Sequence, residues 1–417
     1  MKIRMIAVVY TICILSICVQ NGIAEEFDWP RWRGPKGNGI SLETDWNPEA
    51  LDGSPEVLWR ANVGTGYSNI AIADNRLFTM GTQRGGNYVF CLNAETGEEI
   101  WKYVIDEVKD PQSTPTVDGK YVYVLTRDGV LVCLKVKNGK LRWKKDLVSE
   151  LGVVKPFYGF AGSPVIVGIL VILTANTSGI GLNKKTGEVV WDSEKPTEAL
   201  RLSRSTGTHY ATPVVYESEG KRYAVITSSV GIHSADVESG NVSWSYEWEE
   251  YTNIQVSDPL IFDGKVFIAQ YDGRGSFLLN IKAGPPEVLW QNLNMSSDNS
   301  SPVFIDGYLY GIDGGIEVHH ASLRCLDVET GDVMWEKDME TNSISLMAAD
   351  GKLILLEEDG SLRIAEAHPT SYREISSGNI HEHEIMGPKY WTTPVLYNGK
   401  IYCRNYGFDL VCVDVSR

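Results

Sequence analysis

The chain has 417 residues, with 38 Lys and Arg against 54 Asp and Glu, for a formal charge of −16. A surface this acidic repels phosphate backbones and anionic headgroups, which excludes nucleic acid and anionic lipid as main partners. Glycine (40), tyrosine (20) and tryptophan (12) are plentiful, a mixture that goes with many tight turns between short strands.

Residues 1–24 read as a secretory signal peptide. Lys2 and Arg4 give a basic start, 5–18 is an apolar run, and Gly22-Ile23-Ala24 supplies small residues before Glu25-Glu26. A membrane anchor is one alternative, although the run is shorter than the roughly 20 apolar residues a span needs. A lipoprotein acylated at Cys18 is another, against which stands the bulky Ile17. No later stretch is apolar enough for a span, so the mature chain is expected in the periplasm or cell envelope. Past the signal the cysteines are Cys91, Cys133, Cys325, Cys403 and Cys412. None are adjacent and none form a CxxC, so they are no disulfide framework.

Residues 25–54 are expected to form an extension packed on the domain that follows. From 55 onward the chain repeats itself. Asn93-Ala94-Glu95-Thr96-Gly97 leads to Trp101, Lys135 to Gly139 leads to Trp143, and Asn183 to Gly187 leads to Trp191. Asp236 to Gly240 leads to Trp244, and Asp327 to Gly331 leads to Trp335, while Asn280 to Gly284 before Trp290 is a degenerate copy with two extra residues. Upstream of the copies lies a small or polar residue before proline, as at Thr114-Pro115, Ser163-Pro164, Thr212-Pro213, Asp258-Pro259, Ser301-Pro302 and Thr393-Pro394. Asp-Gly or Asn-Gly pairs follow at 118, 263, 306, 350 and 398, which favour two-residue hairpins.

Each unit therefore reads strand, turn, strand, turn, strand, glycine turn, Trp-bearing strand, over about 45 residues, which matches a propeller blade and no helical repeat. The fold class is all-β, an eight-bladed β-propeller of four-stranded antiparallel blades over 55–417. Six blades end at the repeated tryptophans, and a degraded seventh runs from about 342 to 375. The eighth stops at Cys412-Val413-Asp414-Val415 with no Trp strand, whereas Glu56 to Arg60, around Trp59, is a Trp strand with no blade before it. The N-terminal strand is thus expected to complete the C-terminal blade. Four of the five thiols, at 91, 133, 325 and 412, share one repeat position and are expected as buried packing groups.

The spacing Asn/Asp-x-x-Thr-Gly-x-x-x-Trp, as in Asn93 to Trp101 and Asp327 to Trp335, resembles the pyrroloquinoline-quinone (PQQ) repeat propellers. That family includes the quinoprotein alcohol dehydrogenases and the outer-membrane assembly lipoprotein BamB, and the resemblance covers nearly the whole mature chain. Trp29-Pro30-Arg31-Trp32-Arg33-Gly34-Pro35 is similar to the opening of exported quinone-repeat proteins of planctomycete-type bacteria. The motif specifies the fold and leaves the quinone open.

The family's enzymes imply a bound calcium, acidic ligands, a catalytic Asp and often a ring of two adjacent cysteines; this chain has no Cys-Cys pair. The loops entering the innermost strands bring Tyr67, Tyr158, His209, Tyr210, Asp258, Asp298, Asn299, Tyr390 and Trp391 toward one mouth of the channel. Asp258 is the candidate catalytic residue, since sister repeats carry Ser or Thr there. Asp258, Asp298, Asn299, His209, Tyr210 and Trp391 are candidate cofactor-binding residues, with Asp298 and Asn299 candidate calcium ligands. The bland reading is that these groups satisfy loop amides. His381-Glu382-His383-Glu384 and His319-His320 offer metal-type donors, or plain polar loops.

Two functions remain open. The first is a non-catalytic binding or assembly scaffold, a monomer that meets protein or polysaccharide at a propeller face. The second is a PQQ- and calcium-dependent dehydrogenase of an alcohol or sugar, of the polyvinyl-alcohol or alcohol dehydrogenase kind. There calcium would polarise the quinone while an Asp took the substrate proton.

Overall fold

The computed structural model describes residues 27–105, 110–195, 209–248, 254–271, 273–282, 284–298, 300–315, 319–382 and 389–416. Among these residues there are strands and turns and no helix. The second sheet in chain order shows the common plan. Thr116–Asp118, Tyr121–Leu125, Val130–Lys135 and Leu141–Asp146 pair in sequence as four antiparallel strands. Hairpin turns set this order: Asp74, Asn75, Asp263, Asp306, Asp350 and Asn398 all hold positive φ between the first and second strands, the conformation that Asp and Asn tolerate best.

Hydrogen bonding gathers the strands into seven sheets, five of them four-stranded. A sixth has eight strands, because Thr65 pairs with Thr82 and so joins two groups of four. In it Val57–Thr65 lies antiparallel to Gly407–Asp414, with Trp59 opposite Cys412. The seventh sheet, residues 344–379, gains a fifth, parallel strand from Ile40–Ser41, which pairs with Ala348 and Ala349. First strands of several successive sheets lie against one another, Ala71–Ala73 on Thr116–Asp118 and Thr116–Asp118 on Val165–Val167 among them.

The glycine and the tryptophan of the repeat motif meet between sheets. A Cβ on Gly97 would lie 2.6 Å from the Trp59 ring, on Gly139 2.6 Å from Trp101, on Gly187 2.7 Å from Trp143, and on Gly240 2.6 Å from Trp191. Each tryptophan therefore lies on the glycine turn of the following group of four strands. Its indole NH donates to a carbonyl of that sheet: Trp59 to Ala94, Trp101 to Val136, Trp143 to Lys184, Trp191 to Val237 and Trp290 to Val328, at 2.8–3.1 Å. This satisfies the one polar group of a mostly buried ring. The pattern breaks at the degenerate copy. Trp244 donates to the Tyr216 hydroxyl at 2.9 Å, and Gly284 has nothing within 4 Å of its Cβ position.

Outer strands slip register by one residue just before their tryptophan, as between Leu141 and Trp143 or Val57 and Trp59. The slip is a β-bulge that twists an edge away from pairing, and it leaves Leu58, Ile100, Val190, Leu289 and Met334 facing outward. The five cysteines are buried and free, and burial pushes the Cys91 thiol up to about 11.

Residues 29–43 run across the centre. Trp29 exchanges backbone hydrogen bonds with Ile72 at 2.9 and 2.8 Å, and Pro30 accepts from Val117 at 2.7 Å. Arg33 donates to the Pro302 carbonyl at 2.6 Å. Glu43 takes the amides of Asn398 and Gly399 at 2.7 and 2.9 Å. This segment thus contacts several of the sheets in turn.

Candidate functional site

The residue before proline has a shared role that spacing alone did not disclose. The Thr114 amide donates to Ser163 Oγ at 2.9 Å, and the Ser163 amide to Thr212 Oγ1 at 3.0 Å. The Thr212 amide donates to Asp258 Oδ1 at 2.7 Å, and the Asp258 amide to Ser301 Oγ at 2.9 Å. Each side chain thus captures the amide two residues ahead of the first strand of the sheet before it, forming an arc of hydrogen bonds. Asp258 is a member of this arc whose second oxygen has a further task. Oδ2 accepts the indole NH of Trp32 at 2.5 Å and lies 4.0 Å from Arg33 Nε. Burial raises the Asp258 carboxyl above its ordinary value, against the pull of Arg33 and the bonds from Trp32 and Thr212. Burial likewise lowers the Arg33 guanidinium, to about 10.

Above the arc lies a cavity of about 490 Å³. Trp32 and Asp258 are at its base, with the hydroxyls of Thr114, Ser163, Thr212, Ser301 and Thr392. Aromatic rings wall it. Trp391 stacks on Tyr67 with centroids 5.6 Å apart, and Tyr67 stacks on Tyr406 at 4.8 Å. Across from them Tyr158 and Tyr210 lie 5.9 Å apart, and Phe157 and Tyr158 stand exposed at the rim. Arg127 lines the cavity and donates through Nε to the Tyr158 carbonyl at 2.8 Å. Trp32 brings the 29–43 segment into the lining of this cup.

Of the residues singled out in the sequence, Tyr67, Tyr158, Tyr210, Asp258 and Trp391 line this cup. His209 is buried and is not part of the lining. Tyr390 is wholly buried, its ring edge-on to His381 at 6.1 Å. Asp298 is buried beneath Gly315, where a Cβ would lie 2.5 Å from it. Asn299 lies outside the described residues, as do His383 and Glu384. Glu382 pairs with Arg60 at 2.7 Å, and His320 is exposed, 3.7 Å from Asp338. Among the described residues no three His, Cys, Asp or Glu side chains group as a metal site. Of the candidate cofactor-binding residues, Asp258, Tyr210 and Trp391 line the cup, while Asp298 is buried and outside its lining. Sequence reasoning missed Trp32 and Arg127. Trp32 sits in the 29–35 run noted only as a family mark, and Arg127 in the turn before Asp128-Gly129.

A family model described as outer membrane protein assembly factor BamB matches residues 49–128 and 85–337. This chain belongs to that PQQ-repeat family. BamB of Yersinia pestis is 20% identical over 370 residues, covering 83% of this chain and 75% of the relative. BamB from Moraxella catarrhalis superimposes with a TM-score of 0.66 at 16% identity, over 86% of this chain and 99% of that one. The quinohemoprotein alcohol dehydrogenase from Comamonas testosteroni does so with a TM-score of 0.69 at 13% identity, over 94% and 81%. At such identities the superpositions show a common fold.

Proposed function

We propose that this BamB-family propeller is a non-catalytic binding scaffold of the periplasm or cell envelope, serving outer-membrane assembly. The curated relatives named above carry that role in their names. The carrying observation is Asp258: this carboxylate in the lining of the cup holds the Thr212 amide through Oδ1 and the Trp32 indole through Oδ2. Both bonds tie Asp258 into the protein's own framework, which supports a structural role for the position at which the arc carries a carboxylate. The quinone-dependent reading is supported by fold likeness to dehydrogenases, which by itself carries no site.

In the same reading the ring has eight blades. The eight-stranded sheet counts as two, one of them built from Val395–Tyr397, Lys400–Arg404, Gly407–Asp414 and Val57–Thr65. The pairing of Trp59 with Cys412 supports closure of the ring by the N-terminal strand, with 1–24 acting as the export signal and 25–54 as an extension packed against it.

The test is titration of the purified protein with PQQ and calcium, followed by dye reduction with alcohols. The expected result is neither tight binding nor turnover. Turnover that Asp258→Ala abolishes overturns the scaffold. In cells, a photo-crosslinker at the exposed Phe157 is expected to capture outer-membrane proteins.

A further inference from the structure

A second cavity, of about 270 Å³, lies where two neighbouring sheets meet, and it shares no lining residue with the cup. Tyr246, on the strand Val242–Glu247, and Trp248 just after it form one side. Gln270, Arg274, Phe277 and Leu293, from the sheet that spans 260–292 and its end, form the other.

Gln270 sets this place apart. It follows the second strand of its sheet, as Thr126 and Asn405 follow theirs. All three backbone amides donate across the turn, to the carbonyls of Gly275, Val130 and Asp409 at 2.8, 3.0 and 3.0 Å. Thr126 and Asn405 also close the turn with their side chains. Thr126 Oγ1 takes the Val130 amide at 3.0 Å, and Asn405 Oδ1 the Asp409 amide at 2.9 Å. Gln270 is longer and does not. Among the described residues its side-chain amide makes no hydrogen bond, although the residue is only 8% exposed and lines the cavity. One acceptor and two donors are thus left to whatever enters.

The remaining walls are apolar. Phe277, buried, lies 5.1 Å from the Tyr246 ring at 38° and 5.9 Å from the Trp248 ring at 65°. No two of these rings are parallel, so they make no slot for a flat ring. The Trp248 indole NH is taken by the Ser228 carbonyl at 2.7 Å, which leaves its ring as an apolar surface. Leu293, 73% exposed, extends that surface at the rim. A saturated ring with C–H faces and a polar edge meets both kinds of wall. The complement of a primary amide is a second amide, which also donates and accepts at once. The volume has room for one such ring.

We infer that this cavity binds a sugar ring carrying an acetamido group. The acetamido group pairs with the Gln270 side-chain amide, and the C–H face of the ring lies against Tyr246 and Trp248. A free acetamido sugar or one unit of a glycan chain would supply the same group. The inference goes beyond the scaffold reading and does not depend on it.

Ligand-observed NMR titration of the full chain tests it, with N-acetylglucosamine, glucose and chitotetraose as probes. N-acetylglucosamine is expected to bind at about 1 mM, and at least about tenfold tighter than glucose. Gln270→Leu is expected to bring the two sugars within about twofold of each other, with the melting temperature unchanged, because this side chain bonds nothing else. Gln270→Glu, which keeps the shape and loses the donors, is expected to lose the same preference. Tyr246→Leu is expected to weaken both sugars alike. Chitotetraose binding tighter than the single sugar would make a glycan chain the source; equal binding would make it the free sugar. Equal affinity for N-acetylglucosamine and glucose, a preference that survives both Gln270 variants, or no binding at about 20 mM overturns the inference and leaves the scaffold standing. Turnover with PQQ and calcium removes the scaffold, whatever the sugars do.

Discussion

Arg404, wholly buried, donates from Nη1 to the carbonyl oxygen of Ser68 at 2.6 Å. The same nitrogen reaches Thr79 Oγ1 at 2.6 Å and the Met80 carbonyl at 2.5 Å, and Nη2 the Gly64 carbonyl at 3.3 Å. No ion pair meets this cation among the described residues. Carbonyl dipoles take the place of water, and burial still lowers the guanidinium to about 9. Arg404 lies near the C-terminus and all four acceptors lie within residues 64–80, so one side chain ties together two distant parts of the chain.

Arg404→Met keeps much of the volume and leaves these acceptors unpaired. It is expected to lower unfolding free energy by about 3–5 kcal/mol, read from urea denaturation. Arg404→Lys is expected to recover little, since one nitrogen cannot serve a fork of acceptors.

Gly97 and Gly53 separate two reasons for glycine. Both have positive φ, 74° and 90°, but a Cβ on Gly97 meets Trp59 at 2.6 Å and one on Gly53 meets nothing within 4 Å. Gly53→Ala is expected to cost about 1 kcal/mol, from backbone strain alone. Gly97→Ala is expected to cost about 2–4 kcal/mol, because the ring must also move.

Trp32 and Asp258 form the latch beneath the cup. A double-mutant cycle with Trp32→Phe and Asp258→Asn is expected to give a coupling of about 1–3 kcal/mol in stability. Additive losses would show that the indole NH and the carboxylate act separately.

How much of this was legible in the sequence depends on separation along the chain. The strand order, the turn residues and the tryptophan positions are local and periodic, so Asn93 to Trp101 announced them. Asp258 stood out from its Ser and Thr counterparts, but its partner Trp32 lies 226 residues away, and no periodicity connects them. The arc from Thr114 to Ser301 was visible as a repeated X-Pro step and not as a hydrogen-bond chain, because the amide each side chain serves belongs to the previous sheet. Tyr390 looked like its neighbour Trp391, yet opposite sides of the backbone send one into the core and the other into the cup. The fifth strand at Ile40–Ser41 carries no strand pattern of its own; the free side of Ile344–Ala349 recruits it.

His233 predicts a pH response. Its two ring nitrogens lie 2.9 Å from Ser228 Oγ and 2.9 Å from Ser245 Oγ, and burial lowers it to about 4. In the unfolded chain it takes its proton near the ordinary histidine value of about 6.5. The unfolded state therefore binds a proton first as pH falls, and stability present above about 6.5 is lost toward pH 4. Denaturation midpoints measured from pH 7 to pH 4 are expected to fall less steeply in His233→Gln.

The pairing of Val57–Thr65 with Gly407–Asp414 has a consequence in time. Arg60 and Asp409, ion-paired across it, are 349 residues apart. During synthesis the earlier strand exists long before its partner does, and its unmated edge stays open until the last strand arrives. A contact of such range also slows folding. Sheets in the middle of the chain can form while the ribosome is still working; this seam cannot, so the molecule spends its nascent life as an open arc that needs protection from edge-to-edge association.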